Sequence, residues 1–148
     1  MQTIREILDN KGREIFFVAP DTTVFEALKL MAEKNIGAVL VFEGDKLMGM
    51  MSERDYARKI ALKGKFSKEV PVREIMSSEV ICVGPEQTIN NTKAIMVSKR
   101  IRHVPVLEND KLVGLISIGD VVNALLDEDS FMIDQLETYI KGVQAPKK

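Results

Sequence analysis

Two stretches of this chain set a serine and an aspartate three residues apart, each behind a glycine and two apolar residues. They are Gly49-Met-Met-Ser52-Glu-Arg54-Asp55 and Gly114-Leu-Ile-Ser117-Ile-Gly-Asp120. An apolar run that breaks into serine reads as a strand passing into a helix. Unpaired N–H groups and partial positive charge at such a helix start suit a phosphate. The serine adds a hydroxyl, and an aspartate one turn on can accept both hydroxyls of a ribose. The same residues also make a plain helix cap, with serine at the N-cap and the acid in the first turn. Recurrence does not choose between these readings, because a duplication copies caps as faithfully as sites.

Other chemistry is sparse. Cys82 is the single cysteine and His103 the single histidine. That excludes an internal disulfide, a zinc-type Cys/His cluster and a Cys/His catalytic pair. No Ser/His/Asp set, Walker-type loop or paired carboxylates with a nearby base stands out. The reading is therefore no catalytic residue and no metal ligand; Cys82 reads as a small core residue on a strand.

The two stretches belong to a longer repeat. At a shift of 65 positions, residues 20–55 lie over residues 85–120 without gaps, with identities such as Pro20/Pro85, Thr23/Thr88, Met31/Met96, Gly49/Gly114, Ser52/Ser117 and Asp55/Asp120. Upstream, Arg5-Glu6-Ile7 recurs as Arg73-Glu74-Ile75 at a shift of 68, so the first lead-in carries three extra residues. That insertion, around residues 10–13, reads as a loop. Self-similarity at a fixed period indicates units that bury their apolar faces together.

Each copy reads as strand, helix, hairpin, helix. A short apolar strand (15–19; 80–83) enters a Pro-acid turn. In the first copy a helix over 24–34 follows, with Val24, Ala27, Leu28 and Met31 on one face. Thr23-x-x-Glu26 reads as a capping box, of which the second copy keeps Thr88 but has Asn91. Strands over 38–42 and 47–51 flank Glu43-Gly44-Asp45-Lys46, matched by Glu108-Asn109-Asp110-Lys111. Gly or Asn there suits a turn residue with positive φ. A second helix runs from about 53 to 62, and from 118 to 126. The fold class is α/β (α+β), with two βαββα repeats packed as a pseudo-twofold pair. The domains are 1–66, 67–127 and a C-terminal helix and tail at 128–148, the helix carried by Phe131, Leu136, Tyr139 and Ile140.

Twenty-one basic against 22 acidic residues give a net charge of −1, so no general field draws nucleic acid or an anionic membrane. No apolar run reaches the ~20 residues of a spanning helix, and the charged N-terminus lacks a signal-peptide core. A soluble, cytoplasmic protein is the expectation.

The doubled Pro-acid, helix, hairpin, GxxSxxD layout, with Ile101-Arg102-His103-Val104-Pro105-Val106 before the second hairpin, resembles a tandem pair of CBS domains, the cystathionine-β-synthase motif or Bateman module. The resemblance spans roughly residues 3–126, and the chain resembles stand-alone bacterial pairs rather than a fragment of an enzyme. It implies a regulatory sensor rather than an enzyme, binding AMP, ADP, ATP, NAD(H) or S-adenosyl ligands between the repeats and signalling to an unknown protein partner. The alternative is a structural pair with degenerate sites, serving oligomerisation. One implied site combines Met50, Ser52, Arg54 and Asp55 with Val80, Ile81, Ile101, Arg102, His103 and Pro105. The other combines Leu115, Ser117 and Asp120 with Ile15, Phe16, Ile36 and Gly37. Two arginines and the histidine favour phosphate at the first, where the second has Gly119, Gly37 and Ala38. A homodimer is also expected, on the ground that Tyr56/Ile60 and Val121/Leu125 need another chain to cover them.

Overall fold

The computed structural model describes residues 2–127 and 145–146, so the C-terminal helix expected at 131–140 lies outside the described residues. The chain divides into two compact units, one of residues 14–81 and one joining the N-terminal 13 residues to everything from Cys82 onward. Each is described by itself.

In the unit of residues 14–81, β1 (Phe17–Val18) leads through a turn to α2 (Val24–Lys34), then to the hairpin β2 (Ala38–Glu43) and β3 (Lys46–Ser52), and to α3 (Glu53–Tyr56). The sheet order is β1-β2-β3, with β1 parallel to β2 and β2 antiparallel to β3. α3 continues as a π-helical turn over Ala57–Ala61, and a 3₁₀ turn follows at Val72–Glu74. The other unit begins with α1 (Ile4–Lys11) and has α4 (Ile89–Lys99), the hairpin β4 (His103–Glu108) and β5 (Lys111–Ser117), and α5 (Ile118–Asp127).

The expected first strands shrink, and the reason is local. Only Phe17 and Val18 pair with β2, because Ala19 is drawn into a turn with Thr22. In the second copy a single parallel bridge, Val83 to Val106, remains before Gly84-Pro85 ends it. The helix caps also differ from expectation. Thr23 Oγ1 accepts the Glu26 N–H at 3.2 Å and Thr88 Oγ1 accepts the Asn91 N–H at 3.1 Å, so the two copies cap equivalently. The hairpin turns hold Gly44 at φ 60° and Asn109 at φ 53°, as the turn residues require.

The cores are homologous layer by layer. Val24, Ala27, Met31, Val39, Val41 and Met51 are buried in one unit, and Ile89, Thr92, Met96, Val104, Val106 and Ile116 in the other. Thr92 is the buried polar exception, and its hydroxyl bonds Thr88 O at 3.0 Å. Ile60 and Val121 are fully buried in the cores of their own units, with Tyr56 and Leu125 packed against them. Ile60 and Val121 therefore need no second chain to cover them, whereas Tyr56 and Leu125 stay half-buried and leave part of the ground for a homodimer standing.

The lead-ins supply much of this cover, and each docks on the other copy. Ile4 N–H and Arg5 N–H bond Gln87 O and Pro85 O at 3.0 and 2.8 Å; Val72 N–H and Arg73 N–H bond Thr22 O and Pro20 O at 2.8 and 3.0 Å. Arg5 then pairs with Glu86 and Glu108, and Arg73 with Asp21, the residue equivalent to Glu86. The lead-in of copy one thus completes the unit of copy two, and the reverse. The first lead-in is also longer and more ordered than a loop: Asn10 and Lys11 belong to α1, which Gly12 ends at φ 98°.

Each lead-in packs where its hairpin carries glycine. A Cβ on Gly114 would press on the Leu8 side chain, 2.4 Å from its nearer methyl, whereas a Cβ on Gly49 would lie 2.6 Å from the backbone oxygen of Ser77. That oxygen is fixed by the Met50 N–H at 3.0 Å. Gly49→Ala should therefore destabilise by about 1–3 kcal/mol in urea unfolding, and Gly114→Ala by less, because a side chain moves more easily than backbone. Leu8→Ala, which empties a site 1% exposed, should cost about 2–5 kcal/mol. A neutral Leu8→Ala would show that α1 is not part of the core.

Candidate ligand-binding site

Both GxxSxxD segments sit where a hairpin's last strand becomes a helix. Ser52 ends β3 in extended backbone and caps α3, its hydroxyl accepting the Asp55 N–H at 3.2 Å. Asp55 Oδ2 returns the bond, accepting from Ser52 N–H at 2.9 Å and lying 3.1 Å from the Ser52 hydroxyl. Ser117 and Asp120 repeat this, at 3.2 Å for the Asp120 N–H and 2.8 Å for the Ser117 N–H. This reciprocal capping box satisfies two backbone donors and locks each carboxylate.

The same bonds limit what the helix starts can offer an anion. Glu53 N–H bonds Gly37 O at 3.1 Å, and Ile118 N–H bonds the equivalent carbonyl of Arg102 at 2.8 Å. In each helix two N–H groups of the first turn are thus committed within the unit. The positive charge for a phosphate has to come chiefly from side chains.

The unit of residues 14–81 holds Ile15, Phe16, Ile36, Gly37, Met50, Ser52, Arg54, Asp55, Val80 and Ile81; the other holds Ile101, Arg102, His103, Pro105, Leu115, Ser117 and Asp120. Within the first, Leu40 pairs with Met50 and Ala38 with Ser52 across the hairpin, so Gly37 directly precedes the strand residue facing Ser52. Ile36 and Gly37, with Asn35, Glu53 and Met31, line an open cavity of about 350 Å³. Lys34 lies over the Phe16 ring, 5.2 Å from its centroid. In the second unit His103 faces Ser117 and Pro105 faces Leu115. Arg54 and Arg102 are exposed and His103 half-buried, whereas Pro105 is buried and its carbonyl takes the Val83 N–H at 3.0 Å. Met50 is held from outside the hairpin by paired bonds with Ser77 at 3.0 and 2.9 Å.

Sequence reasoning missed two cations. Lys59 Nζ lies 3.3 Å from Asp55 Oδ1 and donates to Ile75 O at 2.8 Å. Lys11 Nζ lies 2.6 Å from Asp120 Oδ2 and donates to Leu115 O at 2.8 Å. The first was legible as an i,i+4 acid–lysine pair on one helix. The second joins residues 109 apart and left no local signal. The cysteine differs too: Cys82 is half-buried outside any strand, and burial pushes its thiol pKa up. Among the described residues no cluster of three His, Cys, Asp or Glu could hold a metal, and no helix is long and apolar enough to cross a membrane.

Known proteins share this architecture. The CBS domain family matches residues 4–62 and 72–127. A mitochondrial CBS domain-containing protein of Arabidopsis thaliana is 37% identical over 149 residues, spanning 95% of this chain and 72% of that protein. A solved structure of a CBS-domain protein from Burkholderia ambifaria is 46% identical with a TM-score of 0.85, covering 86% of this chain and 96% of that one. A CBS domain pair solved with 5′-methylthioadenosine and S-adenosylmethionine has a TM-score of 0.73 over 84% of this chain and 99% of its own. At 22% identity it shares the fold alone. With two family matches over most of its length, two homologous units and a Ser–Asp capping box in each, the chain belongs to the CBS-domain family as a tandem pair.

Proposed function

We propose that this tandem pair is a non-catalytic sensor that binds an adenine nucleotide (AMP, ADP, ATP or NAD(H)) at its two GxxSxxD turns and signals to a protein partner. Asp55 and Asp120 take the ribose hydroxyls in this reading, and Arg54, Arg102 and His103 serve the phosphates. The observation that carries it is the pair of locked carboxylates, each with a lysine beside it. An acceptor whose orientation is already fixed loses little entropy when a diol binds it.

One observation favours the rival reading, a structural pair without ligand. The capping boxes by themselves account for Ser52, Asp55, Ser117 and Asp120. Mass spectrometry of small molecules released from the denatured protein separates the two. Assembly as a homodimer is a separate expectation, read by light scattering.

Calorimetric titration of AMP into the wild type, Asp55→Ala and Asp120→Ala tests the site. Loss of a charged hydrogen-bond partner costs on the order of 1.5–3 kcal/mol, so Asp55→Ala should weaken the tighter binding by about one to two decades. Circular dichroism must show each variant folded, since a lost cap costs stability by itself. Affinities unchanged in both variants reduce the aspartates to helix starts. Adenine selectivity is read separately: ATP should raise the melting temperature more than GTP at equal concentration, because the native state alone binds it. Equal shifts remove the adenine claim.

A further inference from the structure

The two aspartates are equivalent in sequence, but their lysines are not. The position equivalent to Lys59 in the second copy is Ala124, and Lys11 falls in the extra residues of the first lead-in, which the second lead-in lacks. Each carboxylate has thus acquired an ammonium from a different part of the chain. Lys11 arrives on the last turn of α1, within the insertion that lengthens the first lead-in.

Its geometry is that of a positioned charge. The ammonium is fixed at two points, Asp120 Oδ2 at 2.6 Å and Leu115 O at 2.8 Å, and its side chain remains about one-third exposed. Lys11 and Asp120 also line one cavity of about 190 Å³ between α1 and α5, with Asn10 and Asn123 adding amide groups. The Asp120 bonds from Ser117 and Lys11 both fall on Oδ2. A lone carboxylate repels an approaching phosphate. With Lys11 beside it the pair is neutral, and an ammonium has three donors, one more than these two bonds use.

We infer that Lys11 is a specificity-determining residue of the second repeat's site, where it makes Asp120 select a phosphorylated nucleoside over the uncharged one. The inference rests on the adenine-nucleotide reading above and changes its asymmetry. The second turn, with Gly119 where the first has Arg54, draws its cation from a distant helix.

The test titrates AMP and adenosine into the full chain carrying Asp55→Ala, alone and with Lys11→Met or Lys11→Arg added. Lys11→Met should lower the preference for AMP over adenosine about fivefold, as expected for one partly screened charge. Adenosine affinity should not fall, and Lys11→Arg should keep the preference. The difference should fade as salt rises from about 0.05 to about 0.5 M, where screening shortens. A purely structural lysine would weaken both ligands together or neither, and either result overturns the inference. So does Asp55→Ala losing all adenine binding. If the wild type binds neither ligand, the functional reading fails with it; if Asp120→Ala abolishes binding while Lys11→Met leaves the preference intact, the inference alone fails.

Discussion

The docking of a lead-in on a Pro-acid turn is the constraint on which the rest of each unit depends. In both units two successive backbone N–H groups bond the turn, and an arginine reaches its acid. The apolar residues flanking that arginine, Ile4 and Ile7 in one lead-in, Val72 and Ile75 in the other, then enter the core. The ion pairs are exposed and add little alone. Their value is register: they hold a short segment so that its buried side chains meet the hairpin. The glycines at 49 and 114 admit this approach, since any Cβ would collide with the incoming segment.

The hairpin fixed in this way ends in the serine that caps the next helix. The cap therefore inherits its position from the lead-in, through β3 in one unit and β5 in the other. Lysines reinforce the link: Lys59 joins Asp55 to the carbonyl of Ile75 in the lead-in, and Lys11 joins the lead-in itself to Asp120. Structure and candidate chemistry use the same atoms, which is why the sequence alone could not separate cap from site.

Much of the fold was legible. The helix at 24–34, both hairpins and their turns follow from periodicity and from the glycine or asparagine that a positive φ demands. Thr23-x-x-Glu26 carries the longer acid of the usual capping-box signature, yet the reciprocal box forms at Ser52-x-x-Asp55. The first strands are shorter than their apolar runs, because an apolar run does not reveal whether a neighbour's edge is within reach. The exchange of lead-ins was hidden for a different reason. A repeat reports which segments are alike, not which copy each packs against. Lys11 was lost with it, as an insertion looks like slack until its helix has a partner.

The exchange also imposes an order on synthesis. The unit of residues 14–81 is continuous and can close as soon as its own lead-in has been made. The other cannot: Arg5 waits 81 residues for Glu86 and 103 for Glu108. At about 5–20 residues per second, that interval lasts on the order of five to twenty seconds. For that time Ile4, Ile7 and Leu8 have no core to enter. An amphipathic segment made early therefore waits for the half it belongs to.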